Sequence, residues 1–221
     1  MIHYVKFAGI EDMAMVNGDR QAHWENVYRT KCENEVSWFQ TRPNISLDLI
    51  KATGVKPGGP IIDIGGGASR LVDALLDERF TAITVLDLSE ASLAMTKVRL
   101  GARTSAVNWV VADVTKWKSS QTFDVWHDRA AFHFLTEPKD RSAYTELVST
   151  VVRVGGHVII GTFAPDGPER CSGLPVVRHD AASLNEMLGS SFKLVESRRH
   201  DHQTPVGGVQ QFQFSRFRRI N

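Results

Sequence analysis

Pro60-Ile61-Ile62-Asp63-Ile64-Gly65-Gly66-Gly67-Ala68-Ser69-Arg70-Leu71-Val72-Asp73-Ala74-Leu75 is the stretch on which the fold turns. Its first part is short, apolar and β-branched, and reads as a buried strand. Three glycines follow. Leu71, Ala74 and Leu75 then recur at helical spacing, so a helix is expected over Ser69–Glu78. A strand, a glycine turn and a helix open a βαβ unit. Glycines at such a turn let the backbone approach a ligand closely. The start of the helix adds N–H groups that have no partner inside it.

The alternation continues outward. Strands are expected at Ala82–Leu88, Val107–Val114, Phe123–Asp128 and His157–Phe163. A helix between Ser89, its cap, and Gly101, its terminator, follows the second strand. A long amphipathic helix over Lys139–Val154 precedes the fifth. This order implies an α/β fold, a Rossmann-like doubly wound sheet with helices on both faces. The pattern then changes. A short helix over 181–190 leads into strands at Phe192–His200 and Gly208–Phe217, joined by a turn containing Pro205, Gly207 and Gly208. The sheet is therefore expected to be mostly parallel with an antiparallel C-terminal hairpin. Before the core, 21–31 and 44–54 read as two helices that pack on the sheet or cover a ligand.

With 221 residues, one domain is the first expectation. The opening twelve residues lack the apolar core of a signal peptide. Residues 1–18 are read as a flexible leader and 19–221 as the domain: a helical lid over 19–55, a cofactor-binding core over 56–163, and a substrate loop with the hairpin over 164–221. A formal net charge of +1 gives no footprint for nucleic acid, and no apolar run reaches 18 residues, so neither nucleic acid nor membrane is an expected partner. Two cysteines, Cys32 and Cys171, make neither a disulfide scaffold nor a metal-ligand spacing. No metal is expected, and a cytoplasmic location is.

Three consecutive strands each carry an acid at or near the carboxyl end: Asp63, Asp87 and Asp113. Open α/β sheets bind ligands at that end, and an acid after the second strand reaches ribose hydroxyls. A dinucleotide fingerprint would need a third glycine or an alanine where Arg70 stands. Asp63 would also repel a pyrophosphate. S-adenosylmethionine carries a sulfonium, an α-amino group and no phosphate, and suits Asp63 better.

On these residues the chain resembles the class I S-adenosylmethionine-dependent methyltransferases, from about Trp24 to Phe217. The resemblance implies that Asp63 and the loop Gly65, Gly66, Gly67 and Ser69 line the methionine moiety. It implies Asp87, with Leu88 and Ser89, at the ribose, and Asp113 and Val114 at the adenine. His127 would face the methionine part and the transferable methyl. The product would be S-adenosylhomocysteine. Trp126-His127-Asp128-Arg129, with Asp140-Arg141 and Tyr144 downstream, is similar to the thiopurine and thiol S-methyltransferases, from which it departs by one inserted residue, His127. Early HWENVY and VSWFQ are similar to the tryptophan-bearing lid of that group, which puts Trp24, Tyr28 and Trp38 over the cofactor. Parts of the chain also resemble lysine methyltransferases acting on elongation factors, and bacterial class I methyltransferases of unassigned substrate.

Methyl transfer from a sulfonium needs a base only if the acceptor holds its proton at neutral pH. His127, Asp128, Arg129 and His133 are the candidate catalytic residues. Cys171, His179, His200 and His202 are further candidates, with an ordinary loop favoured for Cys171 and a solvated turn for His200 and His202. The expected reaction is methylation of a small molecule, a thiol, sulfide or selenium compound, by a monomer or weak homodimer. Protein lysine N-methylation is the enzyme alternative, and a non-catalytic cofactor-binding protein the alternative of another class.

Overall fold

The computed structural model describes residues 17–221. Residues 1–16 of the expected leader lie outside the described residues. Asn17 and Gly18 already belong to the first helix, α1, Asn17–Thr30. A 3-10 turn over Glu33–Glu35 leads to α2, Asn44–Lys51.

The core begins with β1, Ile61–Ile64, and α3, Leu71–Asp77. Then come β2, Ile83–Asp87, α4, Glu90–Leu100, and β3, Val107–Val111. The chain returns through β4, Phe123–Arg129, α5, Pro138–Val151, and β5, Val152–Phe163. A small hairpin of β6, Arg170–Cys171, and β7, Leu174–Pro175, precedes α6, Ala181–Leu188. The long strands β8, Phe192–Gln203, and β9, Val209–Arg219, end the chain.

Seven strands form one sheet in the order β3-β2-β1-β4-β5-β9-β8. All pairs from β3 to β5 are parallel, and β9 is antiparallel to both β5 and β8. The central strands are mostly apolar because both faces are covered. Ile61, Val85, Val125 and Ile159 pack on one face with Leu49, Ile50, Leu75 and Leu93 of α2, α3 and α4. Ile62, Trp126, Val158 and Ile160 pack on the other with Tyr144, Val148 and Leu184 of α5 and α6. The strand order reverses between β1 and β4, which opens a crevice at their carboxyl ends.

Several boundaries differ from expectation. The helix expected to reach Val154 stops at Val151, because Val152 pairs with Phe123 and the register then jumps to Val125↔His157. Residues 153–156 bulge out, with Gly155 at φ +84°. β3 ends at Val111, three residues short of Val114. β8 runs on to Gln203, past His200, because His200, Asp201 and His202 pair with Phe212, Gln211 and Gln210. Among the described residues, no helix is long and apolar enough to cross a membrane.

Candidate active site

The crevice holds a pocket of about 790 Å³, its solvent-open mouth included. One side is Gly65, just past β1, facing Ala130 and Ala131, just past β4. Gly65 has φ +65°, and a Cβ there would lie 2.7 Å from the Ala131 Cβ, so only glycine fits. Ala130 is itself left-handed at φ +64°, held by its N–H to the Gly161 carbonyl at 2.8 Å. A non-glycine residue in that region costs about 1–3 kcal/mol, and such strain gathers at functional sites.

Asp87 lies at the end of β2 and on the pocket wall. Its Oδ2 accepts the Gly67 N–H at 2.9 Å and its Oδ1 the Ser89 N–H at 2.8 Å. Burial pushes its carboxyl up to about 6 in spite of these bonds, which pull the other way. Each oxygen retains acceptor capacity. Asp113 stands two residues past β3. Its Oδ1 accepts from Thr115, while Oδ2 is buried without a hydrogen bond, 3.8 Å from Arg20 Nη2. Leu88 and Val114 line the same end.

The roof is aromatic. Trp24 and Tyr28, four residues apart on α1, meet Trp38, with Trp24–Trp38 ring centroids 5.6 Å apart and Trp24–Phe134 4.9 Å. Burial raises the Tyr28 phenol well above its usual range, so it stays protonated. At the other end stand Arg129 and Cys171. Arg129 Nη2 donates to the Trp38 carbonyl at 2.8 Å. Burial works against its charge, and the Asp63 carboxylate supports it. Cys171 is delivered by a tight turn through Ser172 at φ +50° and Gly173 at φ +80°. Burial pushes its thiol up to about 11, so it remains a thiol at neutral pH.

Of the residues singled out in the sequence, the pocket gathers Trp24, Tyr28, Trp38, Gly65, Asp87, Leu88, Asp113, Val114, Arg129 and Cys171. Others are placed elsewhere. Asp63 and His127 are buried register partners on β1 and β4, with Asp63 Oδ1 and His127 Nδ1 2.7 Å apart, and neither is on the wall. Gly66 and Gly67 pack the loop against its own acids. A Cβ on Gly66 would sit 2.4 Å from Asp63 Oδ2, and one on Gly67 would sit 2.5 Å from Asp87 Oδ2. Ser69 lines a second, smaller pocket of about 260 Å³, beside Arg70 and the other side of Arg129. Ser89 caps α4 by accepting the Ser92 N–H.

Two of the proposed catalytic residues turn inward. Successive strand side chains point to opposite faces, so Asp128 leaves the face of His127 and Arg129. It is wholly buried and accepts from the Ala131 and Phe132 N–H groups and the Tyr144 hydroxyl. Its carboxyl, raised by burial to about 6, shapes the turn after β4. His133 is buried against Phe134 and Phe163, and burial lowers it to about 3. His179 is buried against Phe132. His202 is not in a solvated turn. It is buried in β8, with its Nε2 2.7 Å from the carbonyl of Ser37, beside Trp38.

Arg20, Phe134 and Leu135 line the pocket without having been singled out. Arg20 had a signal: with Trp24 and Tyr28 it makes an i, i+4, i+8 row on one helix face.

A family model described as a methyltransferase domain matches residues 61–156, from β1 to the bulge in β5. That segment of the chain is a methyltransferase domain. Thiocyanate methyltransferase 1 of Arabidopsis thaliana is 25% identical to this chain over 203 residues, covering 90% of this chain and 85% of that protein. The eEF1A lysine and N-terminal methyltransferase of Mus musculus is 24% identical over 149 residues, 64% of this chain and 21% of its own length. Among solved structures, the 1,6-didemethyltoxoflavin-N1-methyltransferase of Burkholderia thailandensis superposes with a TM-score of 0.72 at 21% identity, covering 99% of each chain. That likeness shows the shared fold.

Proposed function

We propose that this methyltransferase methylates a small, soft nucleophile that is already deprotonated: a thiolate, hydrosulfide or thiocyanate-like anion. The observation that carries the reading is the far end of the pocket. Arg129 supplies a cation there, beside aromatic rings and Cys171, and His127 and His133 are both off the wall. Among the described residues, the pocket wall offers no imidazole to an acceptor that still held its proton. The similarity to a thiocyanate methyltransferase over most of both chains supports the same class.

The near end fits S-adenosylmethionine. Asp113 Oδ2 is a buried acceptor lacking a donor, and an amino group of the adenine would meet it. Asp87 would accept from the two ribose hydroxyls with its remaining lone pairs. Gly65 would let the backbone lie close to the methionine chain. The bound cofactor supplies a methyl on a sulfonium sulfur, which needs no further activation.

The chain's own residues would then work by placement. Arg129 holds the acceptor's negative charge. The Tyr28 hydroxyl, kept protonated, is a donor in the roof. Trp24, Trp38 and Phe134 exclude water, which strengthens the attraction between an anionic acceptor and a cationic donor. Alignment of this kind supplies about 7–11 kcal/mol of a barrier. A lysine acceptor is less suited, since its ammonium would meet the Arg129 cation and must lose a proton first.

The test is methyl transfer from labelled S-adenosylmethionine to thiocyanate, hydrosulfide and small thiols, beside lysine peptides. Turnover of the sulfur nucleophiles alone is expected. Transfer to the peptides alone would overturn the assignment of acceptor class.

A further inference from the structure

Helix α1 lies along the pocket, which Arg20, Trp24 and Tyr28 line, as a strap fixed at two points. Toward its start, Arg20 Nη2 lies 3.0 Å from Asp140 Oδ2, in the first turn of α5. One turn and a half later, Glu25 Oε2 accepts the Ser89 hydroxyl at 2.7 Å and the Ala91 N–H at 3.2 Å. Ala91 lies in the first turn of α4, where N–H groups lack partners inside the helix and a negative charge is favoured. Glu25 therefore caps α4 from another helix, although Ser89 already caps it from within.

The second cap has a consequence for the site. The Ser89 N–H is also bound by Asp87 Oδ1 at 2.8 Å. Ser89 thus joins the acid on the pocket wall to the acid on the strap. Trp24 and Tyr28, on either side of Glu25 in sequence, are the roof. Glu25 itself is not on the pocket wall.

We infer that Glu25 is a positioning residue that latches the α1 strap to the Asp87–Ser89 turn and sets the rate at which S-adenosylhomocysteine leaves. This inference rests on the cofactor assignment made above. A latched strap holds Trp24 and Tyr28 over the bound nucleoside and keeps Asp87 in place. A released strap lifts Trp24 and Tyr28 from the nucleoside, while Arg129 and Cys171, which α1 does not carry, keep their own anchors in β4 and the β6–β7 turn. The Ser89 hydroxyl holds the Glu25 carboxyl below the usual carboxylate range, so the latch stays charged at neutral pH.

Product release is read by stopped-flow fluorescence of the roof tryptophans, with S-adenosylhomocysteine displaced from the full chain. Glu25→Ala should release it about tenfold faster, equivalent to about 1.4 kcal/mol. KM for S-adenosylmethionine should rise by a similar factor, while kcat is maintained or increases. Glu25→Gln keeps an oxygen acceptor and should stay within about threefold of the wild type, the gap left by one weakened hydrogen bond. Glu25→Asp keeps the charge on a shorter arm and should fall between the two, so the latch can be read even if the alanine variant does not fold. Release at the wild-type rate in both Glu25→Ala and Glu25→Asp, or a fall in kcat with KM unchanged, would overturn the inference. Failure of the wild type to bind S-adenosylhomocysteine would instead overturn the cofactor assignment.

Discussion

Replacing Asp87 by asparagine separates the ligand from the fold. The carboxylate accepts two backbone N–H groups, from Gly67 and Ser89. Asparagine retains one acceptor oxygen and turns its NH2 toward the other N–H, a loss of about 1–3 kcal/mol. The change also removes an ionisable group that burial raises to about 6. Such a group favours the protonated folded state. Its contribution to stability is full below the unfolded value of about 3.9 and is lost as pH rises through 6, at about 1.4 kcal/mol for each pH unit between the two values. At pH 7.5 the two effects oppose each other, so the melting temperature of Asp87→Asn should lie within a few degrees of the wild type. Binding should behave differently. One ribose hydroxyl loses a charged acceptor and the other keeps a neutral one, for a total loss of about 2–3 kcal/mol, or roughly 30–150-fold. Calorimetric titration with S-adenosylhomocysteine measures it. Wild-type affinity should also fall as pH drops below 6, because the protonated carboxyl donates where it must accept, and the variant should lose that dependence. Affinity within threefold of the wild type, with the same pH profile, would refute the placement of Asp87 at the ribose.

Other residues give further tests. Arg129→Met should lower kcat/KM for an anionic sulfur acceptor by about 100-fold, near 2.7 kcal/mol, with S-adenosylhomocysteine affinity changed much less; steady-state kinetics with thiocyanate or hydrosulfide check it. Gly65→Ala places a Cβ 2.7 Å from that of Ala131 at a left-handed φ, so chemical denaturation should show a loss of at least about 1–2 kcal/mol, with weaker cofactor binding. Burial lowers His133 to about 3, and His157 and His179 to about 4. Groups held neutral in this way contribute fully above pH 6.5 and lose that contribution as pH falls toward 4. Asp87 and Asp128, raised to about 6, work in the opposite direction over the same range, but they are fewer and each is moved less. A thermal melt series should therefore show the melting temperature falling from pH 6.5 to 4.

The parallel core was legible because the central strands are mostly apolar and β1 and β2 run into a glycine loop and an acid. Pro60 to Leu75 alone defines one strand, one turn and one helix start. The pocket end formed by Gly65, Asp87, Leu88, Asp113 and Val114 follows from the same rule, that open sheets bind ligands at the carboxyl ends of strands. The roles within Trp126-His127-Asp128-Arg129 were harder to separate. The alternation of the strand sends Asp128 to the α5 face, where the Tyr144 hydroxyl donates to Asp128 and accepts from the Trp126 indole N–H. The polar neighbours of His202 suggest exposure, yet the segment between α1 and α2 covers it through Ser37, 165 residues away. No local pattern encodes a contact of that range. The bulge at 153–156 was hidden because Val151, Val152 and Val154 suit a buried helix end as well as a strand.

The cofactor is the central claim, and calorimetry on the full chain with S-adenosylhomocysteine, beside NAD, tests it most directly. Stoichiometric binding of S-adenosylhomocysteine and no heat from NAD are the expected results. Binding of NAD without S-adenosylhomocysteine would contradict the claim.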